Sequence, residues 1–168
     1  MVFQSNISEV DNIELGHFDS FLSHAWGKEQ ATHYEVQRIG ECLKKQSISF
    51  WLDDQQMIGT ISAAMANGID HSKIMVVFIT EEYVNKVNGK RAKGSAENCL
   101  AEFTYGGSNG FGYMIPVVLE KKMLNQKLWV GTFGITIGKT QMFIDLTDAS
   151  TFDASVEQLA KEIKLRAC

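Results

Sequence analysis

The sequence predicts one α/β domain with a five-stranded parallel sheet of order 2-1-3-4-5 and helices on both faces. Short apolar runs of strand length alternate with segments in which apolar residues recur at helical spacing. The run at residues 74–79 is continuously apolar, as expected for a strand buried on both faces. A chain of 168 residues has the length of one domain. Five strands in such an alternation most commonly take the flavodoxin-like order.

The individual elements follow from the same patterns. The predicted strands cover residues 18–22, 48–52, 74–79, 114–119 and 142–146. The predicted helices cover residues 29–45, 60–69, 81–87, 95–103 and 154–165. Pro116 is the only proline, and it predicts an irregular or edge-like start for the fourth strand. Residues 120–139 remain unassigned, and residues 1–16 are polar, which indicates a short tail before a domain over residues 17–168.

Composition and charge exclude several classes of protein. The net charge of −4 provides no basic excess for a general nucleic-acid surface or an anionic membrane. No stretch approaches the roughly 18 apolar residues that a membrane span needs, and the first residues do not resemble a signal peptide. The odd number and wide spacing of Cys42, Cys99 and Cys168 predict neither a disulfide framework nor a zinc site. We therefore expect a cytoplasmic protein with no nucleic-acid partner and no membrane segment.

The predicted strand order also locates a ligand crevice. Its switch point lies between strands 1 and 3, and ligands bind outside the carboxyl ends of those strands. The segments at residues 23–27 and 80–83 should therefore line the crevice. Trp26 is suited to stack on a nucleotide ring there, or alternatively to pack beneath the loop. Ser23 and His24 share that position, and His24 also fits a hydrogen-bonded structural role better than that of an acid or base.

Glu102 is the candidate catalytic residue. Its helix carries an apolar stripe formed by Ala96, Cys99, Leu100 and Phe103. At about 100° per residue, Glu102 lies beside this stripe, nearer Cys99 than the outward face. A carboxylate there can sit at the edge of a pocket. The spacing alone leaves open the alternative that Glu102 is a surface residue.

Three other patterns do not predict sites. Asp70, His71 and Ser72 have the residue types of a catalytic triad, but adjacent residues cannot converge as one. Residues 134–140 have three residues between their glycines where a P-loop needs four, and they precede a predicted strand. Metal-ligand spacing is absent among the four histidines, which are His17, His24, His33 and His71.

Five segments, taken in order, carry a family resemblance. They are residues 18–24, residues 50–54 followed by Gly59, residues 68–80 with Tyr83, residues 98–103, and residues 114–119. Together they resemble the Toll/interleukin-1 receptor (TIR) domain family over residues 17–166, and especially stand-alone TIR proteins of protists, algae and simple animals. The loop at residues 53–59, called the BB loop in that family, lacks the proline typical of receptor adaptors, and no Phe-Trp pair follows strand five.

The resemblance implies an NAD+ glycohydrolase that releases nicotinamide and linear or cyclic ADP-ribose. Glu102 would be catalytic, and the implied substrate-binding residues are Ser23, His24, Trp26, Asp53 and Asn98. NAD+ would be the substrate, with no cofactor or metal, and self-association through TIR–TIR contacts that include the BB loop would gate activity. Many NAD-cleaving members have tryptophan four residues before the glutamate, where this chain has Asn98. The alternative is a non-catalytic signalling scaffold that acts by homotypic TIR–TIR interaction.

Overall fold

The computed structural model describes residues 17–53, 63–90, 98–138 and 142–168. The strands in these ranges are β1 (Phe18–Ser23), β2 (Phe50–Leu52), β3 (Ser72–Ile79), β4 (Met114–Val118) and β5 (Ile144–Asp145). The α-helices there are α1 (Ala31–Lys45), α2 (Ala63–Asp70), α3 (Glu81–Val87), α4 (Asn98–Gly107), α5 (Gly131–Ile137) and α6 (Phe152–Arg166). The predicted tail at residues 1–16, the BB loop after Asp53 and the first residues of the second and fourth predicted helices lie outside the described residues.

The strands form one parallel sheet in the order β2-β1-β3-β4-β5, which confirms the predicted fold class. β1 pairs with β2 on one side and with β3 on the other, so that Ser20 lies opposite both Phe50 and Ile74. All the strands therefore point their carboxyl ends toward the same edge of the sheet. The switch point between β1 and β3 falls where the sequence predicts it.

Two apolar layers cover the sheet, because successive strand residues point to opposite faces. In β3, Met75, Val77 and Ile79 pack into a layer with α2, α3, α4 and α5. Their neighbours Ile74, Val76 and Phe78 pack into the opposite layer with α1 and α6. Helices thus cover both faces, and the continuous apolar run of β3 is explained by burial on both sides.

The edge-like start predicted for the fourth strand is confirmed on the β5 side, although β4 as a whole is an interior strand. β4 lies between β3 and β5, and Pro116 is paired opposite Val77. The Val118 carbonyl accepts a hydrogen bond from the Leu146 nitrogen, so the Pro116 nitrogen also faces the β5 side. Because β5 pairs with β4 only from Val117 onward, the missing N–H of Pro116 removes no hydrogen bond from the sheet.

The unassigned stretch at residues 120–139 contains α5, which a side chain from a distant helix end holds in place. The Asn88 side chain donates to the Val130 carbonyl at 2.9 Å and accepts from the Phe133 nitrogen at 3.2 Å. Local signals for this helix are weak, because Gly131 has a φ of 63° and no side chain of the segment itself caps the helix.

Within the described part of the chain, no helix is both long and apolar enough to cross a membrane.

Candidate active site

The site lies where the carboxyl ends of β2, β1 and β3 meet. Asp53 follows β2, Ser23 ends β1, and Thr80 lies between β3 and α3. The Thr80 hydroxyl accepts a hydrogen bond from the Tyr83 nitrogen at 3.1 Å, and this N-cap fixes the first turn of α3. α4 packs against α2, α3 and β1 and brings Glu102 to the same edge. Residues distant in the chain thus converge at the predicted crevice.

A chain of two short hydrogen bonds joins three of these side chains. The Ser23 hydroxyl donates to Glu102 Oε2 at 2.6 Å, and Ser23 Oγ lies 2.7 Å from the Tyr83 hydroxyl. Ser23 and Tyr83 are 0% exposed, and Glu102 is 4% exposed. The interpretation of Glu102 as a surface residue is therefore wrong. The carboxyl group is buried more deeply than a position at the pocket edge would require.

Burial changes the acidity of this carboxyl group. Desolvation raises the pKa of Glu102 from its ordinary 4.5 to about 8, the hydrogen bond from Ser23 opposes that rise, and the nearby charge of Asp53 adds to it. Asp53 is itself 8% exposed. A carboxyl group that titrates near neutral pH is a recognised mark of a functional site, because surface glutamates rarely depart so far from their ordinary value.

His24 and Trp26 belong to a second cluster, which continues from β1. His24 Nε2 lies 2.7 Å from His33 Nδ1, and His24 Nδ1 lies 3.4 Å from the Leu22 carbonyl oxygen. The Trp26 ring stacks on the His33 ring with centroids 3.9 Å apart and an interplanar angle of 5°. His33 is buried and Trp26 is half-buried, so the buried His33 ring fixes the plane of the indole just after the end of β1.

The environment of His24 disfavours acid or base chemistry by its ring. Burial and the neighbouring His33 lower the pKa of His24 to about 4, so the ring is neutral at physiological pH. Both ring nitrogens face partners within the protein. A direct contact between His24 and substrate stays a prediction.

Cys99 lies one turn before Glu102, and it is not a nucleophile. Burial, with the adjacent Glu102 charge, raises the pKa of Cys99 far above the physiological range, so that the group remains a thiol. Its sulfur lies 3.5 Å from the His24 carbonyl oxygen, to which it donates. Cys99 therefore packs α4 against the end of β1. Asn98 is the first residue of α4, and its side chain lies outside the described part of the structure.

Two residues of the site are not among the substrate-binding or catalytic residues that the sequence indicates. Tyr83 belongs to a segment assigned to the crevice, but its hydroxyl contact with Ser23 depends on the packing of α3 beside β1. His33 reaches Trp26 and His24 from the first turns of α1. Neither residue type nor spacing signals these contacts. No cluster of potential metal ligands occurs among the residues that the structure describes.

Comparison with known proteins identifies the family. A family profile described as "TIR domain" matches residues 21–160. The chain therefore belongs to the TIR domain family, which confirms the resemblance. No curated protein sequence matches the chain significantly.

Two solved structures share the fold. One is the crystal structure of a prokaryotic SEFIR domain, with a TM-score of 0.61 and 18% identity over 86% of this chain and 96% of that one. The other is the TIR-domain part of the activated Roq1 resistosome that directly recognises the pathogen effector XopQ, with a TM-score of 0.50 and 20% identity over 88% of this chain and 84% of that one. At these identities the two likenesses support the fold alone.

Proposed function

We propose that the protein is an NAD+ glycohydrolase in which Glu102 is the catalytic carboxylate. The observation that carries the proposal is the position of Glu102, which is buried at the carboxyl ends of β1 and β3 and receives a 2.6 Å hydrogen bond from Ser23. This is the crevice in which folds of this class bind ligands. Membership of the TIR family, some of whose members cleave NAD+ while others act as scaffolds, supports the assignment.

One carboxylate is sufficient for the proposed reaction. The positively charged nicotinamide leaves C1′ of the ribose with the bonding electrons and becomes neutral, so the leaving group needs no proton. The positive charge that develops on the ribose is stabilised by the Glu102 carboxylate. Water then attacks C1′ and releases a proton, which gives ADP-ribose. Attack by a ring nitrogen of the adenine in place of water would give a cyclic product.

Substrate binding supplies the ionised form of Glu102. In the free protein the pKa of Glu102 is about 8, so much of the group is protonated at neutral pH. A cationic nicotinamide ribose placed beside the carboxyl group favours its ionised form. Trp26, whose plane His33 holds, offers a stacking surface to a ring of the substrate. Ser23 and Asp53 border the same edge of the sheet, and Asn98 begins the helix that carries Glu102.

Self-association is proposed to gate the activity, through contacts that include the BB loop. The family resemblance supports this gating, which requires turnover per protein molecule to rise with protein concentration. A neighbouring copy that covers the site would also exclude water during the reaction.

The decisive experiment compares Glu102→Gln with the unchanged protein in a nicotinamide-release assay across a wide range of protein concentrations. Gln keeps the shape of the side chain and can still accept from Ser23, but it cannot carry the negative charge. We expect the variant to lose at least about 100-fold in kcat while it remains folded. Glu157→Gln is the matched control, since it makes the same change on an exposed face of α6 and should leave turnover unaltered.

Each result has a definite meaning. Turnover that depends on Glu102 and rises faster than linearly with protein concentration supports an assembly-gated enzyme. Turnover of Glu102→Gln at the level of the unchanged protein would remove Glu102 from the mechanism. An absence of nicotinamide release even in assembled protein would replace the proposal by the scaffold, which acts by homotypic TIR–TIR contact.

A further inference from the structure

The direction of the hydrogen bonds around Ser23 is determined by the number of protons. A serine hydroxyl carries one proton, and that of Ser23 is donated to Glu102. The 2.7 Å contact with the Tyr83 hydroxyl must then use a lone pair of Ser23, so Tyr83 is the donor. The result is a one-way chain from Tyr83 through Ser23 to Glu102 Oε2.

The reverse direction is disfavoured by burial. If a protonated Glu102 donated to Ser23, then Ser23 would donate to Tyr83, and the Tyr83 proton would have to find another acceptor. Tyr83 is fully buried, with its ring edge-on to both Phe103 and Phe133. A buried hydroxyl proton without an acceptor costs free energy, so the chain is best satisfied when Glu102 Oε2 is an acceptor. An ionised carboxylate accepts more strongly than a protonated carboxyl group, so this direction favours the ionised form.

We propose that Tyr83 is a positioning residue for the catalytic carboxylate: acting through Ser23, it orients Glu102 and favours its ionised form, which leaves Oε1 to meet the substrate. The inference rests on the proposed function for its catalytic meaning. The hydrogen-bond chain itself is independent of any reaction. Tyr83 touches neither substrate nor reacting atoms in this scheme.

Other groups around Glu102 act on its ionisation in known directions. Asp53, at the end of β2, opposes ionisation of Glu102. On α4, Cys99 is close enough for the Glu102 charge to affect it, but as a neutral thiol it exerts no charge of its own. On α3, Lys86 and Glu82 form an ion pair of 2.9 Å, and they act on Cys99 with opposite signs. Tyr83 and Ser23 are therefore the neutral hydroxyl groups through which the protein favours the carboxylate.

The test measures the ionisation of Glu102 directly in the free protein. Glutamate labelled with ¹³C at the side-chain carboxyl carbon is followed by NMR as a function of pH, and the signal of Glu102 is assigned by its loss in Glu102→Gln. We expect Ser23→Ala to raise the pKa of Glu102 by about one pH unit, because a hydrogen bond to the carboxylate is lost. Tyr83→Phe should raise it by about half a pH unit, because Ser23 loses the bond that aligns it.

The double variant distinguishes a chain from two separate effects. If Tyr83 acts through Ser23, then Tyr83→Phe should have no effect on the pKa of Glu102 in the Ser23→Ala background. An equal shift in both backgrounds, or no shift in either, would overturn the proposal. Ser23→Ala alone keeps the test decisive if Tyr83→Phe does not fold, because an unchanged titration of Glu102 in that variant would also overturn it.

Phe133→Leu is the control for packing. The Phe133 ring lies edge-on to the ring of Tyr83 at 6.1 Å between centroids, and it is fully buried. Its replacement should lower the melting temperature and leave the titration of Glu102 unchanged. If Tyr83 had only a packing role, Tyr83→Phe would likewise lower the melting temperature and leave the pKa of Glu102 unchanged. A pKa of Glu102 that shifts equally in Phe133→Leu and in Tyr83→Phe would count against the proposal.

Activity gives a second readout with its own way to fail. The pH at which kcat/KM for NAD+ reaches its plateau should rise in Tyr83→Phe by the same amount as the pKa of Glu102, while KM at the plateau stays constant. If the protein has no turnover but the pKa of Glu102 still shifts as described, the proposed enzyme is refuted and the hydrogen-bond chain is retained. If the protein is active but Tyr83→Phe leaves the pKa of Glu102 unchanged, the hydrogen-bond chain is refuted and the proposed enzyme is retained.

Discussion

Ser23 and Glu102, separated by 79 positions in the chain, are joined by a 2.6 Å hydrogen bond in a buried environment. The bond connects the end of the interior strand β1 to the middle of α4. A buried carboxyl group needs hydrogen-bond partners, and Ser23 supplies one to Glu102. This bond lowers the pKa of Glu102 and so partly offsets the rise caused by desolvation. The expected behaviour of the protein follows largely from this pair and from its neighbours.

The proposed enzyme should depend on pH through Glu102. The carboxylate form is required, and the pKa of Glu102 in the free protein is about 8. We therefore expect kcat/KM to rise with pH and to level above about pH 8, with a slope of about tenfold per pH unit well below that value. kcat should level at a lower pH, because the cationic substrate favours ionisation in the complex. Initial rates of nicotinamide release across this pH range would give both profiles, that of kcat/KM and that of kcat. A kcat/KM that does not change with pH would contradict the assignment of Glu102 as the required carboxylate.

Glu102 should also make folding stability depend on pH. The pKa of Glu102 is about 8 in the folded chain against an ordinary value of 4.5, so between these values the folded state retains a proton that the unfolded state has lost. The contribution of Glu102 is therefore complete below about pH 4.5, and it declines as pH rises toward 8. Glu102→Gln should remove this decline, and its advantage over the unchanged protein should grow by at most about 1.4 kcal/mol per pH unit.

The comparison with the unchanged protein removes the contribution of His24. The pKa of His24 falls from 6.5 to about 4 on folding, so His24 stabilises the fold increasingly as pH rises from 4 to 6.5. That effect is opposite in sign and is common to both proteins. Urea unfolding of Glu102→Gln, the unchanged protein and the exposed control Glu157→Gln at three pH values is the measurement. A constant difference between Glu102→Gln and the unchanged protein would show that the Glu102 proton plays no part in stability.

Removing the charge of Asp53 should move the pH profile in the direction opposite to Ser23→Ala. Asp53 is nearly buried, and its charge raises the pKa of Glu102. Asp53→Asn keeps the shape and removes that charge, so the rise of kcat/KM should shift to lower pH by about half a unit. The value of kcat/KM on the plateau above this transition separately reports any contact between Asp53 and NAD+, because loss of such a contact would lower it. NMR titration of Glu102 in this variant checks the shift without substrate, and an unmoved titration would exclude the interaction.

Gly68 should tolerate no side chain, although it lies in α2. A Cβ at Gly68 would lie 2.7 Å from ring atoms of Trp51, and Trp51 is stacked on Phe21 with ring centroids 4.9 Å apart. Gly→Ala inside a helix ordinarily stabilises by about 1 kcal/mol. Here the rings must shift, so we expect Gly68→Ala to destabilise by about 1–3 kcal/mol.

The matched control for Gly68 lies beside it. Asn67 is exposed on the same helix, and Asn67→Ala should leave stability unchanged or raise it slightly, because alanine favours the helix. The midpoint of urea unfolding measures both variants. A midpoint of Gly68→Ala at or above that of the unchanged protein would show that Trp51 moves freely, and would weaken the view that α2 and β2 are tightly packed before the BB loop.

The pattern of apolar residues was sufficient to predict the alternation of strands and helices, because period and length report burial directly. The strand order was then predicted as the commonest arrangement of five such strands. β3 and α6 are found close to their predicted limits. The sequence leaves a structure unassigned or unexplained where a contact between distant residues decides it. α5 depends on Asn88, which lies more than 40 positions before the helix, and Pro116 is accommodated because β5 begins only at Ile144. Neither relationship leaves a trace in the local sequence.

The sequence by itself determined the fold class, the family and the edge of the sheet at which a site would form, because these depend on repeating patterns and on ordered motifs. The tertiary structure alone decided that Glu102 is buried, that Ser23 donates to it and that the Tyr83 hydroxyl lies within hydrogen-bond distance of Ser23. The physical reason is that the pKa of a carboxyl group depends on desolvation and on partners within a few ångströms. Those neighbours come from β1, β2 and α3, and only folding brings them to α4.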